Sequence, residues 1–241
     1  MRNRVLGELE DLGAGSEPPL DEPRALRSVE RALAPRYSAY LDEVKRLMAA
    51  GLAVMQRTGS VAPRVGEIVR EAGLSNQVFY RHFRSKDELL LAILDDGTRV
   101  LLSYLDHRMS QAATAGDRVR AWIDGVVAQA ASPRGADATR PFATHQARLA
   151  ESFPSEVRRL AELLVTPLRA ALRDARDGGE MPGVDPQRDA EAIYSISMGW
   201  VQRRLVDEAV PTPEDVAHIT AYAVSGLLRG ESPTTEKSDG T

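Results

Sequence analysis

Residues 65–90, VGEIVREAGLSNQVFYRHFRSKDELL, divide at one glycine and two serines. Ile68, Val69 and Ala72 give the first piece a single apolar face at helical spacing. Gly73 ends that helix, because glycine tolerates the left-handed backbone that a helix C-terminus commonly adopts. Ser75 is placed to cap the next helix by accepting from a first-turn N–H that has no partner of its own. With so few residues between them, the two helices must cross steeply, the geometry of a helix-turn-helix.

The second helix carries an unusually polar surface. Val78, Phe79 and Phe83 suit an interior, whereas Asn76, Gln77, Tyr80, Arg81 and His82 set donors and acceptors outward or at the rim. Ser85 and Glu88, three residues apart, form a capping box that opens a third, longer helix. Lys86 falls in the first turn of that helix, where the helix dipole favours an anion. A cation there makes sense if the helix end faces a phosphate.

The string AGLSN-x-x-FYRHFRSKDELL resembles the DNA-binding signature of the TetR/AcrR family of bacterial transcription regulators. The resemblance covers the helix-turn-helix; the remainder matches only in length and helical pattern. It implies an all-α chain with an N-terminal three-helix DNA-binding domain and a C-terminal helical domain for ligand binding and dimerisation. It also implies a two-fold dimer on a palindromic operator. Carried over position by position, Asn76 and Gln77 face bases and Arg81 lies near the groove wall. Tyr80, His82 and Lys86 match phosphate contacts, and Ser75 heads the same helix. Arg64 stands where relatives often carry a phosphate-binding hydroxyl, and here charge replaces it. Gln77 and Val78 replace the commoner Gly-Thr pair, which removes another hydroxyl contact. Packing beside Phe83 is the plainer reading of His82.

Charge follows the same division. Within 36–90 nine Lys/Arg stand against six Asp/Glu, while the rest of the chain holds 22 against 29. A basic head on an acidic body suits DNA binding through one end. The absence of cysteine excludes disulfide and thiolate chemistry. The first residues, MRNRVLGELEDLG, lack the apolar core of a signal peptide, and no apolar run approaches the ~20 residues of a membrane span. A soluble, cytoplasmic protein is expected.

Four regions follow: a flexible arm over 1–35, the DNA-binding domain over 36–88, the regulatory and dimerisation domain over 89–230, and a polar tail over 231–241. The arm holds four prolines and three glycines, with arginines that suit a minor groove or merely solvent. Helices are predicted over 38–57, 86–109, 117–131, 140–152 and 154–176, with Pro167 kinking or splitting the last. Two further helices, 186–208 and 213–229, close the domain; the first bears apolar residues on two faces and so needs two partners. In the family these last two helices pair with their symmetry mates, and Gly199 and Gly226 suit close approach; the alternative is burial within one subunit.

Family pockets lie among the middle helices. Trp122, Phe142, His145, Gln146, Phe153 and Trp200 combine aromatic bulk with a few polar groups, as ligand sites do, although aromatics on apolar faces are more often core. The four histidines show no metal-ligand spacing, and no phosphate loop or nucleophile motif is present, so neither an enzyme nor a cofactor is expected. The expected function is a dimeric, ligand-responsive regulator, a repressor released from its operator by a small, largely apolar effector. The competing reading is a DNA-binding organiser controlled by a protein partner, with no small-molecule ligand.

Overall fold

The computed structural model describes residues 24–59, 63–143 and 145–228, and all regular structure among them is helical. Helix α1 runs from Arg24 to Thr58. Its apolar positions Leu47, Ala50 and Val54 recur at helical spacing and are buried. The helix starts well before 38: residues 24–35 of the expected arm are helical, and Pro35 lies inside the helix. The stretch RALRSVERALA consists largely of strong helix formers, and one proline removes a single backbone donor from an otherwise favourable run. The rest of the expected arm and the expected 231–241 tail lie outside the described residues.

Helices α2 (Val65–Ala72) and α3 (Asn76–His82) form the expected pair. Gly73 takes the left-handed backbone, φ 62° and ψ 37°, and Leu74 N–H closes the turn on Val69 O at 2.8 Å. A carbonyl at a helix end needs a donor. Arg46 of α1 supplies it, donating to Ala72 O at 2.6 Å and Gly73 O at 3.2 Å. Pro63 precedes the N-cap Arg64 and is not itself helical; the Arg64 N–H instead donates to Glu67 Oε2 at 2.9 Å.

Helix α4 spans Lys86–Ser110. Its capping box forms with one change: Ser85 Oγ accepts from Glu88 N–H at 3.1 Å, and Glu88 reaches back to Arg84 N–H at 2.6 Å. The chain continues through α5 (Ala115–Ala131), α6 (Pro133–Ala143), α7 (Gln146–Ser152), α8 (Pro154–Asp177), α9 (Pro186–Val206) and α10 (Pro213–Leu228). The expected 140–152 helix is therefore two helices, and the first starts at Pro133. Proline at a first helical position sacrifices no hydrogen bond, and Ser132 Oγ caps the turn by accepting from Gly135 N–H at 3.1 Å. Helix α8 continues through Pro167 without splitting. Leu160, Leu164, Val165, Leu168, Ala171 and Leu172 are buried along it, and that burial exceeds the roughly 3 kcal/mol an interior proline costs.

The described residues fall into two compact units. One comprises residues up to Val100 together with Ala147–Phe153; the other comprises Leu101–Gln146 together with residues from Pro154 onward. The break between these compact units falls within α4, after Val100. The first unit is centred on Leu47, Met55, Ile68, Phe79 and Leu89, all essentially inaccessible. Within it, Arg148 donates to Asp87 Oδ2 at 2.9 Å, and Leu149 is buried. In the second unit α6, α8, α9 and α10 pack around α5. The end of α4 also approaches α5 so closely that a Cβ at Gly125 would overlap the Leu105 side chain.

Candidate nucleic-acid interface

The surface of the first unit is built around α3. Phe79 is fully buried and anchors this short helix to α1 and α2, while its neighbours on the helix face outward. Ser75 Oγ caps α3 by accepting from Val78 N–H at 3.3 Å. Asn76 and Gln77 are exposed, and Tyr80 is 60% exposed with its ring edge-on to Phe79. Asn76 and Tyr80 are four residues apart and share one helix face, with Gln77 beside them. This is a row of hydrogen-bonding groups on a rigid support, suited to base edges and phosphates. Lys86, half-buried in the first turn of α4, and the exposed Arg64 ahead of α2 stand at the other two helix starts of the head.

Two of the expected contacts are turned another way. Arg81 donates to both carboxylate oxygens of Glu43, at 2.7 and 2.5 Å, and its guanidinium lies 5.1 Å from the centre of the Tyr40 ring. The His82 side chain is only 6% exposed, with Nε2 at 2.6 Å from Glu43 Oε2 and its ring edge-on to Tyr40. The bonds from His82, then Arg81, hold the Glu43 carboxyl below the usual glutamate range. His82 thus faces the interior of the head beside α1, closer to the packing reading than to a phosphate contact. Tyr40 and Glu43 are the residues that sequence reasoning missed. Tyr40 carries the period of the α1 core stripe, yet it is exposed and serves as a platform for α3. Only the spacing of Tyr40 and Glu43, three apart and so on one face of α1, hinted at a shared task.

The residues expected to line a ligand site differ in burial. Trp122 is fully buried among the α5 core residues, and its indole N–H donates to Leu164 O at 3.0 Å. Trp200 is half-buried, with the Arg204 guanidinium 5.4 Å from its ring centre. Phe142 and His145 are half-buried, and the Gln146 side chain lies outside the described set. Phe153 belongs to the first unit and the other five to the second. Among the described residues no His, Asp or Glu cluster is arranged to hold a metal, and no helix is long and apolar enough to cross a membrane.

Residues 47–93, which span the helix-turn-helix, match the model of bacterial regulatory proteins, tetR family. Over 186 residues, 77% of this chain and 89% of the relative, the sequence is 29% identical to the HTH-type transcriptional regulator BetI of Rhizobium meliloti (strain 1021). The fold is similar to that of the transcriptional regulator FadR from Bacillus subtilis, solved with stearoyl-CoA. That match has a TM-score of 0.62 at 16% identity and covers 77% of this chain and 98% of the other. A TetR transcription regulator from Haloarcula marismortui superposes with a TM-score of 0.63 at 19% identity, over 78% and 96% of the two chains.

Proposed function

We propose that this chain is a TetR-family DNA-binding transcriptional regulator that works in the cytoplasm as a homodimeric repressor of a palindromic operator. The observation that carries the reading is the exposed row Asn76, Gln77 and Tyr80 on α3, flanked by Lys86 at the head of α4. Asn76 and Gln77 read base edges. Tyr80, Lys86 and Arg64 bind phosphates, and Ser75 orients the helix that carries them. The chain divides in function into a DNA-binding part over 36–88 and a regulatory, dimerising part over 89–230.

Dimerisation uses α9 and α10. Ile196, Val206, Val210 and Tyr222 are large apolar groups left exposed on or beside these helices. A Cβ at Gly199 or Gly226 would meet nothing within 4 Å in the single chain. Such a face gains by burial against its own symmetry copy. Two heads then reach half-sites about 34–36 Å apart along the duplex. A small, largely apolar effector that binds the DNA-incompetent arrangement more tightly releases the operator by population shift.

The test is selection of bound genomic fragments, followed by footprinting. Two protected half-sites one helical turn apart support the reading; no bound fragment at modest ionic strength refutes it. On a recovered fragment, Lys86→Ala weakens binding to every sequence and lowers the salt slope by about 0.9 per head. Gln77→Ala instead relaxes preference at one base position. The filled surroundings of Trp122 favour a second reading, a DNA-bound organiser controlled by a protein partner with no small-molecule ligand. Thermal-shift screening with apolar compounds separates the two. A compound that stabilises the protein and loosens the operator complex supports effector control.

A further inference from the structure

We propose that Glu43, with Tyr40 one turn before it on α1, is a positioning residue for DNA reading that withholds Arg81 and His82 from the nucleic acid. The inference rests on α3 being the DNA-reading helix and adds what sets its selectivity. Helix α3 is only seven residues long and has little stability of its own. Ser75 fixes its first turn and Phe79 its middle. Its last turn ends in two potential cations, Arg81 and His82, and both converge on the one carboxylate of Glu43. Tyr40 completes the clasp, its ring within 5.1 Å of the Arg81 guanidinium and 5.0 Å of the His82 ring centre.

The position of Arg81 gives this clasp its consequence. Gln77 and Arg81 are four residues apart and therefore neighbours on one side of α3. The Arg81 side chain is still 42% exposed, so it lies at the surface beside a base-reading residue. Left free, a guanidinium there takes a phosphate, and phosphate contacts strengthen binding to every sequence alike. Charge-assisted bonds to Glu43 occupy it instead. Base discrimination then rests on Asn76 and Gln77, with less indiscriminate attraction competing against it. The ring of His82, buried against the same carboxylate, fixes the rotation of α3 about its axis.

The experiment uses the full chain, an operator fragment recovered by genomic selection, and a random-sequence duplex of equal length. Affinities are measured across a salt series for the wild type, Glu43→Gln, Arg81→Gln and the double variant, with far-UV circular dichroism confirming the fold. Glu43→Gln frees Arg81: the random duplex binds about fivefold tighter near 0.15 M salt, and the slope of log K against log salt steepens by about 0.9 per head. Operator affinity falls about twofold, because the unclasped last turn of α3 no longer holds Gln77 in register with its base, so the ratio of operator to random-duplex affinity falls roughly tenfold. Arg81→Gln alone leaves the wild-type slope unchanged, and the double variant returns to it. A Glu43→Gln effect that persists undiminished in the Arg81→Gln background overturns the proposal, since Glu43 then acts only by repelling phosphate. A lowered slope for Arg81→Gln alone also overturns it, because Arg81 then already binds DNA. Should Glu43→Gln unfold the head, the Arg81→Gln slope decides by itself. Wild-type protein that binds neither duplex refutes DNA reading and this proposal together; wild-type binding with either overturning result refutes the clasp alone.

Discussion

Replacing Trp122 by phenylalanine separates a core tryptophan from a ligand-lining one. The indole is inaccessible and its N–H donates to Leu164 O at 3.0 Å. Phenyl is comparably apolar, so the transfer contribution is small. The smaller ring leaves a void of roughly 40 Å³, about 1 kcal/mol at ~24 cal/mol per Å³ of cavity. Loss of the hydrogen bond adds about 1 kcal/mol. Leu164 lies inside α8, where the regular i→i−4 pattern supplies the Leu168 N–H as a second donor, so the larger penalty of an orphaned acceptor is not added. The expected total is about 2 kcal/mol, or roughly 8 °C in the Tm of a unit of this size. Urea and thermal denaturation followed by far-UV circular dichroism measure it, since fluorescence would lose one of its two reporters. A loss under about 0.5 kcal/mol, comparable to a surface substitution, would refute the reasoning, because it would mean that the indole fills no close-packed site.

Further outcomes test the head, the regulatory unit and the assembly. Gly73→Ala forces a β-carbon into φ 62° and within 3.2 Å of the Arg46 guanidinium, so it destabilises the first unit by about 1–2 kcal/mol in urea denaturation. Glu180 accepts from Gly116 N–H at 2.8 Å and Ala115 N–H at 3.1 Å at the start of α5, and those bonds lower its pKa. A lowered pKa contributes stability above the unfolded glutamate value and loses it as pH falls through the folded value. Glu180→Gln therefore lowers Tm at pH 7, and its difference from wild type narrows as the pH is taken below the glutamate range. Tyr222 is 63% exposed in the single chain, so Tyr222→Glu leaves the subunit folded and shifts sedimentation from dimer to monomer. An unchanged sedimentation coefficient removes α10 from the proposed interface.

The sequence by itself determined the parts whose physics is local. Gly73 and Ser75 specify the turn, because a left-handed residue and an N-cap hydroxyl act within three or four residues of themselves. Ser85 and Glu88 open α4 for the same reason, and 3.6-residue periodicity located most of the helices and much of the core. The start of α6 at Pro133 was missed by the reading that began a helix at 140, although a capping hydroxyl followed by proline at a first helical position is a local signal. Tertiary structure alone decided which candidates face solvent. Tyr40 has the period of a core residue but stays half exposed and becomes a platform for Arg81 and His82. Arg81 and His82 carry the chemistry of phosphate binding, yet a carboxylate 38 and 39 residues away in sequence takes them first. Trp122 looks alike as core or as pocket wall until Leu164 O is found beside its N–H. Periodicity fixes which residues share a face; only packing fixes what that face meets.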